Sequence, residues 1–105
     1  MPQFTVYKNK NPATRNTYPL LVDVQSNLLD QLQTRVVIPL TKVATLSKKP
    51  LVRLTPLLTI DGGDYLLLTP QLAGISKADL GTPVGNIDHY RDHIIAALDF
   101  LITGI

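Results

Sequence analysis

The sequence predicts a mainly β domain in which about five short antiparallel strands form a strongly bent sheet or small barrel, followed by one C-terminal α-helix. Turn-forming residues separate several short apolar runs. Two of these runs flank Asp61-Gly62-Gly63-Asp64, a sequence typical of a hairpin. The last 18 residues carry an apolar stripe at helical spacing. With 105 residues, the chain is predicted to form a single domain over residues 1–105.

The first two predicted strands are separated by a long polar loop. Residues Gln3–Tyr7 alternate polar and apolar side chains, which predicts a strand, and residues 8–16 are rich in asparagine and lysine, which predicts a loop. Residues Tyr18–Gln25 then resume an extended pattern, with Asp23 and Gln25 on one face. The opposite face is predicted to hold Leu20, Val22 and Val24.

Leu28 and Leu29 form an apolar pair inside the turn that follows, where solvated residues are usual. One interpretation is that they close the end of the core, since short loops often bury such a pair. The other is that they form an exposed apolar tip, which would indicate an interaction site.

The middle of the chain predicts further strands. Residues Thr34–Leu40 are dense in β-branched side chains, and Pro39 is expected to end the hydrogen-bond ladder of this strand. Residues Lys42–Pro50 form a basic connector, and Leu51–Ile60 pairs with Tyr65–Thr69 in the predicted hairpin.

Pro56 has no N–H to donate to the hydrogen-bond ladder of a sheet, so it marks an edge strand or a bulge. Residues Pro70–Gly85 are expected to be looser, with a short extended piece at 73–75.

Residues Asp88–Ile105 are predicted to form one amphipathic helix. Asp88 or Asn86 can cap its first turn, and Gly104 provides a stop signal. Its apolar stripe needs a partner surface, either the sheet or a second copy of the chain. The stripe comprises Ile87, Ile94, Leu98, Leu101 and Ile105.

Charge is distributed unevenly along the chain. Up to Thr55 there are eight basic and two acidic residues, a net charge of +6, whereas the rest has two basic and six acidic residues, a net charge of −4. This asymmetry indicates a basic surface for an acidic partner. Lysines that only keep loops solvated would give the same uneven distribution of charge.

No catalytic or metal-binding motif is recognised in the sequence. His89 and His93 are four residues apart, a spacing that suits a shared metal, but the remaining ligands would have to come from Asp92 or from distant loops. The chain also contains no glutamate to act as the base of a metallohydrolase. We therefore expect no cofactor, no metal and no enzyme activity. The N-terminal residues lack the apolar core of a signal peptide and no apolar run is long enough to span a membrane, so a cytoplasmic location is expected.

Four segments of the chain resemble the CcdB family, the toxins of toxin-antitoxin modules. They are Gln3–Tyr7, Leu21–Ser26, Arg35–Leu40 and the closing Gly104-Ile105, and they follow one another in the family's order. The resemblance implies an SH3-like barrel with a C-terminal helix, a homodimer, and no enzymatic activity. It also implies binding to the A subunit of DNA gyrase, which is trapped on cleaved DNA, and neutralisation by a CcdA-like antitoxin with an acidic tail. The resemblance further implies that DNA is contacted only through the toxin-antitoxin complex, which represses its own operon.

The resemblance also implies particular site residues. The family has tryptophan where this chain has Thr103 and asparagine where it has Asp99, and the first difference bears on poisoning potency. The gyrase contacts fall on Leu28, Leu29, Asp99, Thr103, Gly104 and Ile105. For the antitoxin, the basic first half offers Lys8, Lys10, Arg15, Lys42, Lys48 and Lys49.

Two other functions are compatible with the sequence. The first is an endoribonuclease related to the Kid and MazF toxins, which share the barrel. Arg15 and Thr17 could contribute to such a site, but no histidine or glutamate lies near them in the sequence. The second is a dimeric interaction module that does not poison gyrase. Thr103, at the position where the family has tryptophan, is compatible with this alternative.

Overall fold

The computed structural model describes residues 2–43 and 53–104. Within them, seven strands form one antiparallel sheet, and one α-helix follows it. The predicted fold class, a mainly β small barrel with a C-terminal helix, is confirmed, with more strands than the five expected. The elements are β1 (Thr5–Asn9), β2 (Leu20–Asp23), β3 (Thr34–Lys42), β4 (Leu57–Ile60), β5 (Gly63–Leu67), β6 (Ala73–Ser76), β7 (Leu80–Asn86) and α1 (Arg91–Thr103).

β3 is the longest described strand, and it changes its partner halfway along. Its first half, Thr34–Val37, pairs with β6, while Leu40–Lys42 pairs with β5. Pro39 lies between these two pairings, where its missing N–H interrupts neither of them, and its carbonyl accepts a hydrogen bond from the N–H of Leu68 at 2.9 Å. The expectation that Pro39 ends the strand was therefore wrong.

The predicted hairpin is present as β4 and β5. Its turn contains Asp61 and Gly62, with φ angles of 51° and 80°, while Gly63 pairs with Ile60 in the ladder. Two consecutive positive φ angles match the right-handed twist of the flanking strands. β4 is an edge strand in the described sheet, as Pro56 immediately before it suggested.

The segment Pro70–Gly85, expected to be loose, contains β6 and most of β7. β7 pairs with β1 through a ladder whose register shifts twice. Such irregular pairing suits a segment rich in glycine and proline, so the sequence shows little of the alternation that marks a regular strand.

The core has two parts on opposite faces of the sheet. The face carrying Leu20, Val22 and Val24 belongs to the main cluster, as predicted, and this cluster includes Ile94 of α1. Leu21 faces the other way, into a smaller cluster with Tyr7, Val37 and Leu80.

The terminal helix begins later than predicted. Residues Asp88–Tyr90 form a 3₁₀ turn, and the α-helix begins at Arg91. The side-chain oxygen of Asn86 accepts a hydrogen bond from the N–H of Asp88, the first residue of that turn, at 2.9 Å. Tyr90, at the N-cap position of the α-helix itself, makes no side-chain capping bond. Gly104 ends the helix as expected, with φ of 74° and its N–H bonded to the carbonyl of Phe100.

Only the first part of the helical stripe is buried within the protomer. Ile94 is fully buried, and Leu98 packs against the main cluster. Leu101 is 38% exposed and Ile102 is 77% exposed, while Ile105 lies outside the described residues. The end of the helix therefore presents apolar surface.

Candidate functional site

The most exposed apolar side chains of the described residues include three that lie in the loop between β2 and β3, residues 26–33, here called the leucine loop. Leu28 is 94% exposed, Leu29 50% and Leu32 49%. The interpretation that Leu28 and Leu29 close the core was wrong, and the exposed apolar tip is what the structure contains. Three exposed leucines within five residues are typical of an interaction surface.

Polar contacts at the start of the leucine loop define its shape. Ser26 begins a 3₁₀ turn, Asn27–Leu29, and its hydroxyl accepts a hydrogen bond from the N–H of Leu28 at 3.2 Å. The side-chain oxygen of Asn27 accepts a bond from the N–H of Gln3 at 2.7 Å. These contacts connect the loop to the segment before β1 and direct its leucines away from the core.

A buried ion pair lies beneath the loop, between β2 and β3. The Nε of Arg35 lies 2.8 Å from Oδ2 of Asp23, and both side chains are fully buried. The Nη1 of Arg35 also lies 3.1 Å from Oδ1 of Asp30, within the loop. Sequence reasoning missed this group. The available signal was two opposite charges, Asp23 and Arg35, inside two segments predicted to be strands.

Tyr7 lies close to this ion pair. Its side chain belongs to the smaller core cluster and is 6% exposed. Burial raises the pKa of the Tyr7 hydroxyl, and the negative charge of Asp23 raises it further. The phenol of Tyr7 therefore stays neutral to a higher pH than an ordinary tyrosine does.

The predicted gyrase contacts at the end of α1 are accessible. Asp99, Thr103 and Gly104 are exposed, and the hydroxyl of Thr103 donates a hydrogen bond to the carbonyl of Asp99 at 2.6 Å. Ile105 lies outside the described residues. Among the described hydrogen bonds, those of the leucine loop lead to the strands and to Lys77, and none joins the loop to α1.

The predicted antitoxin contacts fall on two separate parts of the structure. Lys8, Lys10 and Arg15 are exposed on β1 and the loop after it, and Lys42 is exposed at the end of β3. Lys48 and Lys49 lie outside the described residues. The basic loop is bonded to the turn between β6 and β7, since the Nζ of Lys10 donates to the carbonyl of Ala78 at 3.2 Å.

A groove of about 580 Å³ runs between this basic loop and β6. Its floor is apolar and includes Leu21, Val37 and Ile75, while its rim includes Lys10 and Tyr18. Lys10 and Asp79 are its charged lining residues, one of each sign. Its apolar floor suits apolar side chains of a peptide.

The two histidines of the helix region lie against an aromatic ring. The ring centroids of His89 and His93 lie 4.4 Å and 5.9 Å from that of Tyr90. Within residues 2–43 and 53–104, no group of three potential ligands is placed to hold a metal ion. No helix in these ranges is long and apolar enough to cross a membrane.

The fold is that of a small, mainly β barrel with a C-terminal helix, and the leucine loop and the helix end present exposed apolar side chains. A model of the CcdB protein family matches residues 3–104. The chain therefore belongs to the CcdB family, the toxin-antitoxin toxins that act on DNA gyrase. The resemblance drawn from the four sequence segments is thereby confirmed over nearly the whole chain.

Proposed function

We propose that this chain is a gyrase poison that binds the A subunit of DNA gyrase and traps the enzyme on cleaved DNA. It is not itself an enzyme in this proposal. The observation that carries the proposal is the 94% exposure of Leu28, at a position where the family contacts gyrase. The remaining proposed contacts are Leu29, Asp99, Thr103, Gly104 and Ile105.

The proposed active form is a homodimer. Leu101 and Ile102 are exposed at the end of the helix, and a second copy of a chain this small is a common way to bury such surface. Sedimentation at micromolar concentration should give the mass of two chains. A monomer alone under these conditions would contradict the proposal.

We also propose that a CcdA-like antitoxin with an acidic tail binds the basic surface. Its contacts are Lys8, Lys10, Arg15, Lys42, Lys48 and Lys49, and the groove beside Lys10 supports an apolar component in the same peptide. Toxin and antitoxin together repress their operon, so the toxin reaches that DNA only through the complex. Because gyrase acts on DNA inside the cell, the proposed site of action is the cytoplasm.

A supercoiling and cleavage assay with purified gyrase tests the central proposal. The folded protein should inhibit supercoiling and, after denaturation of gyrase, yield linear DNA. The antitoxin should reverse both effects. Leu28→Asp should weaken them without unfolding the chain, because Leu28 contributes almost nothing to the core. Unchanged supercoiling at micromolar protein would overturn the proposal, and digestion of RNA without antitoxin would favour the endoribonuclease instead.

A further inference from the structure

The leucine loop is held by a network of hydrogen bonds centred on a buried arginine. We propose that Arg35 is a positioning residue, which fixes the loop so that Leu28, Leu29 and Leu32 form one preformed apolar surface for the partner. Leu32 is thereby assigned as a third contact. The identity of the partner, gyrase, rests on the proposed function.

Arg35 connects the strand before the loop to the loop itself. Its Nε is bonded to the buried carboxylate of Asp23 at 2.8 Å, and its Nη1 reaches Oδ1 of Asp30 at 3.1 Å. Its Nη2 donates to the carbonyl of Gln25 at 3.4 Å. A guanidinium can make these contacts together because its donors form a rigid planar fork. The position of Asp30 is therefore fixed relative to β2.

Gln25 forms the second connection. Its Oε1 accepts a hydrogen bond from the N–H of Val36 at 3.1 Å, and its Nε2 donates to the carbonyl of Leu29 at 2.9 Å. One side chain thus bridges β3 and the apolar tip. The same residue is oriented by Asp23, whose Oδ1 accepts a bond from the N–H of Gln25 at 3.0 Å.

Lys77 forms the third connection, from the end of β6. Its Nζ donates to the carbonyl of Asp30, and its N–H donates to the carbonyl of Gln33 at 3.0 Å. The loop is therefore held from β2, from β3 and from the segment after β6.

These connections matter because Leu28 is 94% exposed and Leu29 and Leu32 are about half exposed. Apolar burial therefore contributes less to ordering this loop than it would in the core, and in a flexible loop the measured affinity falls in proportion to the fraction of molecules in the binding conformation. Ordering the loop before the encounter removes this loss. The network supplies that order from polar groups behind the surface and leaves the apolar groups free for the partner.

The test uses Asp30→Ala, which removes one end of the Arg35 connection and keeps the buried pair with Asp23. Asp64→Ala is the control, because it also removes one aspartate carboxylate, but one that accepts an exposed hydrogen bond from the hydroxyl of Thr59 at 2.9 Å in the hairpin, outside the leucine loop. We expect amide hydrogen exchange at Leu28, Leu29 and Leu32 to rise roughly tenfold in Asp30→Ala alone. Affinity for the gyrase A subunit should fall roughly tenfold in the same variant.

Three further variants complete the test. Arg35→Lys keeps a charge beside Asp23 but lacks the fork that reaches Asp30, so it should reproduce the exchange pattern. Asp30→Glu restores a carboxylate and should recover part of the affinity. Leu32→Ala should weaken gyrase binding with loop exchange unchanged, as expected of a contact residue.

Unchanged loop exchange in Asp30→Ala would overturn the positioning role, as would faster exchange with unaltered affinity. Unaltered affinity for gyrase in Leu32→Ala would show that Leu32 is not one of its contacts. Wild-type protein that fails to bind gyrase would defeat the proposed function instead, and in that case the exchange measurement alone would decide whether Arg35 orders the loop.

Discussion

The Nε of Arg35 lies 2.8 Å from Oδ2 of Asp23, and neither side chain has any exposed surface. Such a pair adds little net stability compared with apolar residues, because both charges have lost their hydration. Removing either partner is nevertheless destabilising, because it leaves the other charge buried without an opposite charge beside it. The pair therefore constrains which substitutions β2 and β3 tolerate.

We predict that Asp23→Ala lowers the free energy of unfolding by about 3–5 kcal/mol, because it leaves the Arg35 guanidinium buried with its main counter-charge removed. Denaturant unfolding measures this change. Asp64→Ala, which breaks an exposed contact with Thr59, should stay within about 0.5 kcal/mol of wild type. If Asp23→Ala lowers the free energy of unfolding by less than about 1 kcal/mol, Arg35 does not depend on Asp23 as its buried counter-charge.

A second prediction compares the same substitution at two leucines. Leu58→Ala, at a side chain with 0% exposure, should cost about 2–5 kcal/mol of unfolding free energy, because it leaves a cavity. Leu28→Ala, at 94% exposure, should change stability by less than about 0.5 kcal/mol while weakening gyrase binding. Denaturant unfolding and a gyrase binding assay give the two readouts. Equal destabilisation by both changes would contradict the exposed position of Leu28.

The sequence was most informative where a single short segment determines the outcome. Alternation placed Leu20, Val22 and Val24 on one face of the extended segment that contains β2, and Asp61-Gly62 marked the hairpin because its turn needs positive φ angles. Both features depend only on neighbouring residues.

Sequence reasoning failed where a residue's environment is set by distant parts of the chain. Pro39 did not end β3, because the strand changes partners at that point, from β6 to β5. Leu28 is exposed in a loop whose Asp30 is bonded to Arg35 of β3 and to Lys77 of the turn after β6. Local patterns carry no information about such contacts.

The third prediction concerns alkaline pH. Burial and the charge of Asp23 raise the pKa of Tyr7, so above about pH 10 the unfolded chain loses a proton that the folded chain retains. Stability contributed by neutral Tyr7 is complete below that pH and declines as the pH rises. Unfolding free energies at pH 9 and pH 11 should therefore fall more for wild type than for Tyr7→Phe. Equal declines in the two proteins would show that Tyr7 makes no such contribution.

The fourth prediction concerns antitoxin binding. Reversing the charge of Lys8, Lys10 and Arg15 together should slow association with the antitoxin about tenfold, because these exposed residues attract an acidic chain. The effect should diminish as salt is raised, since charges more than about 8 Å apart are screened at physiological ionic strength. Stopped-flow mixing provides the rates. The single change Arg15→Glu should slow association more than Arg91→Glu, a reversal on the acidic half of the chain, and an unaltered on-rate in the triple variant would exclude this surface.

The last prediction concerns the end of the helix, where the family pattern has a tryptophan in place of Thr103. A tryptophan ring stacked on a gyrase arginine contributes roughly 0.5–2 kcal/mol, or about two- to thirty-fold in affinity. Thr103 cannot supply this, and its hydroxyl already donates to the carbonyl of Asp99 at 2.6 Å. Thr103→Trp should therefore strengthen gyrase poisoning within that range in the cleavage assay. Thr103→Val, which also loses the hydroxyl but adds no ring, measures the cost of breaking that hydrogen bond.

Deleting Gly104 and Ile105 tests whether the end of the helix contacts gyrase. Gly104 closes the helix in a left-handed conformation, with φ of 74°, and is exposed, so its removal takes no described side chain from the core. The truncated chain should remain a folded dimer, as judged by circular dichroism and sedimentation, and should no longer poison gyrase. If inhibition of supercoiling survives the deletion, the helix end is not a gyrase contact, and the leucine loop must account for binding without it.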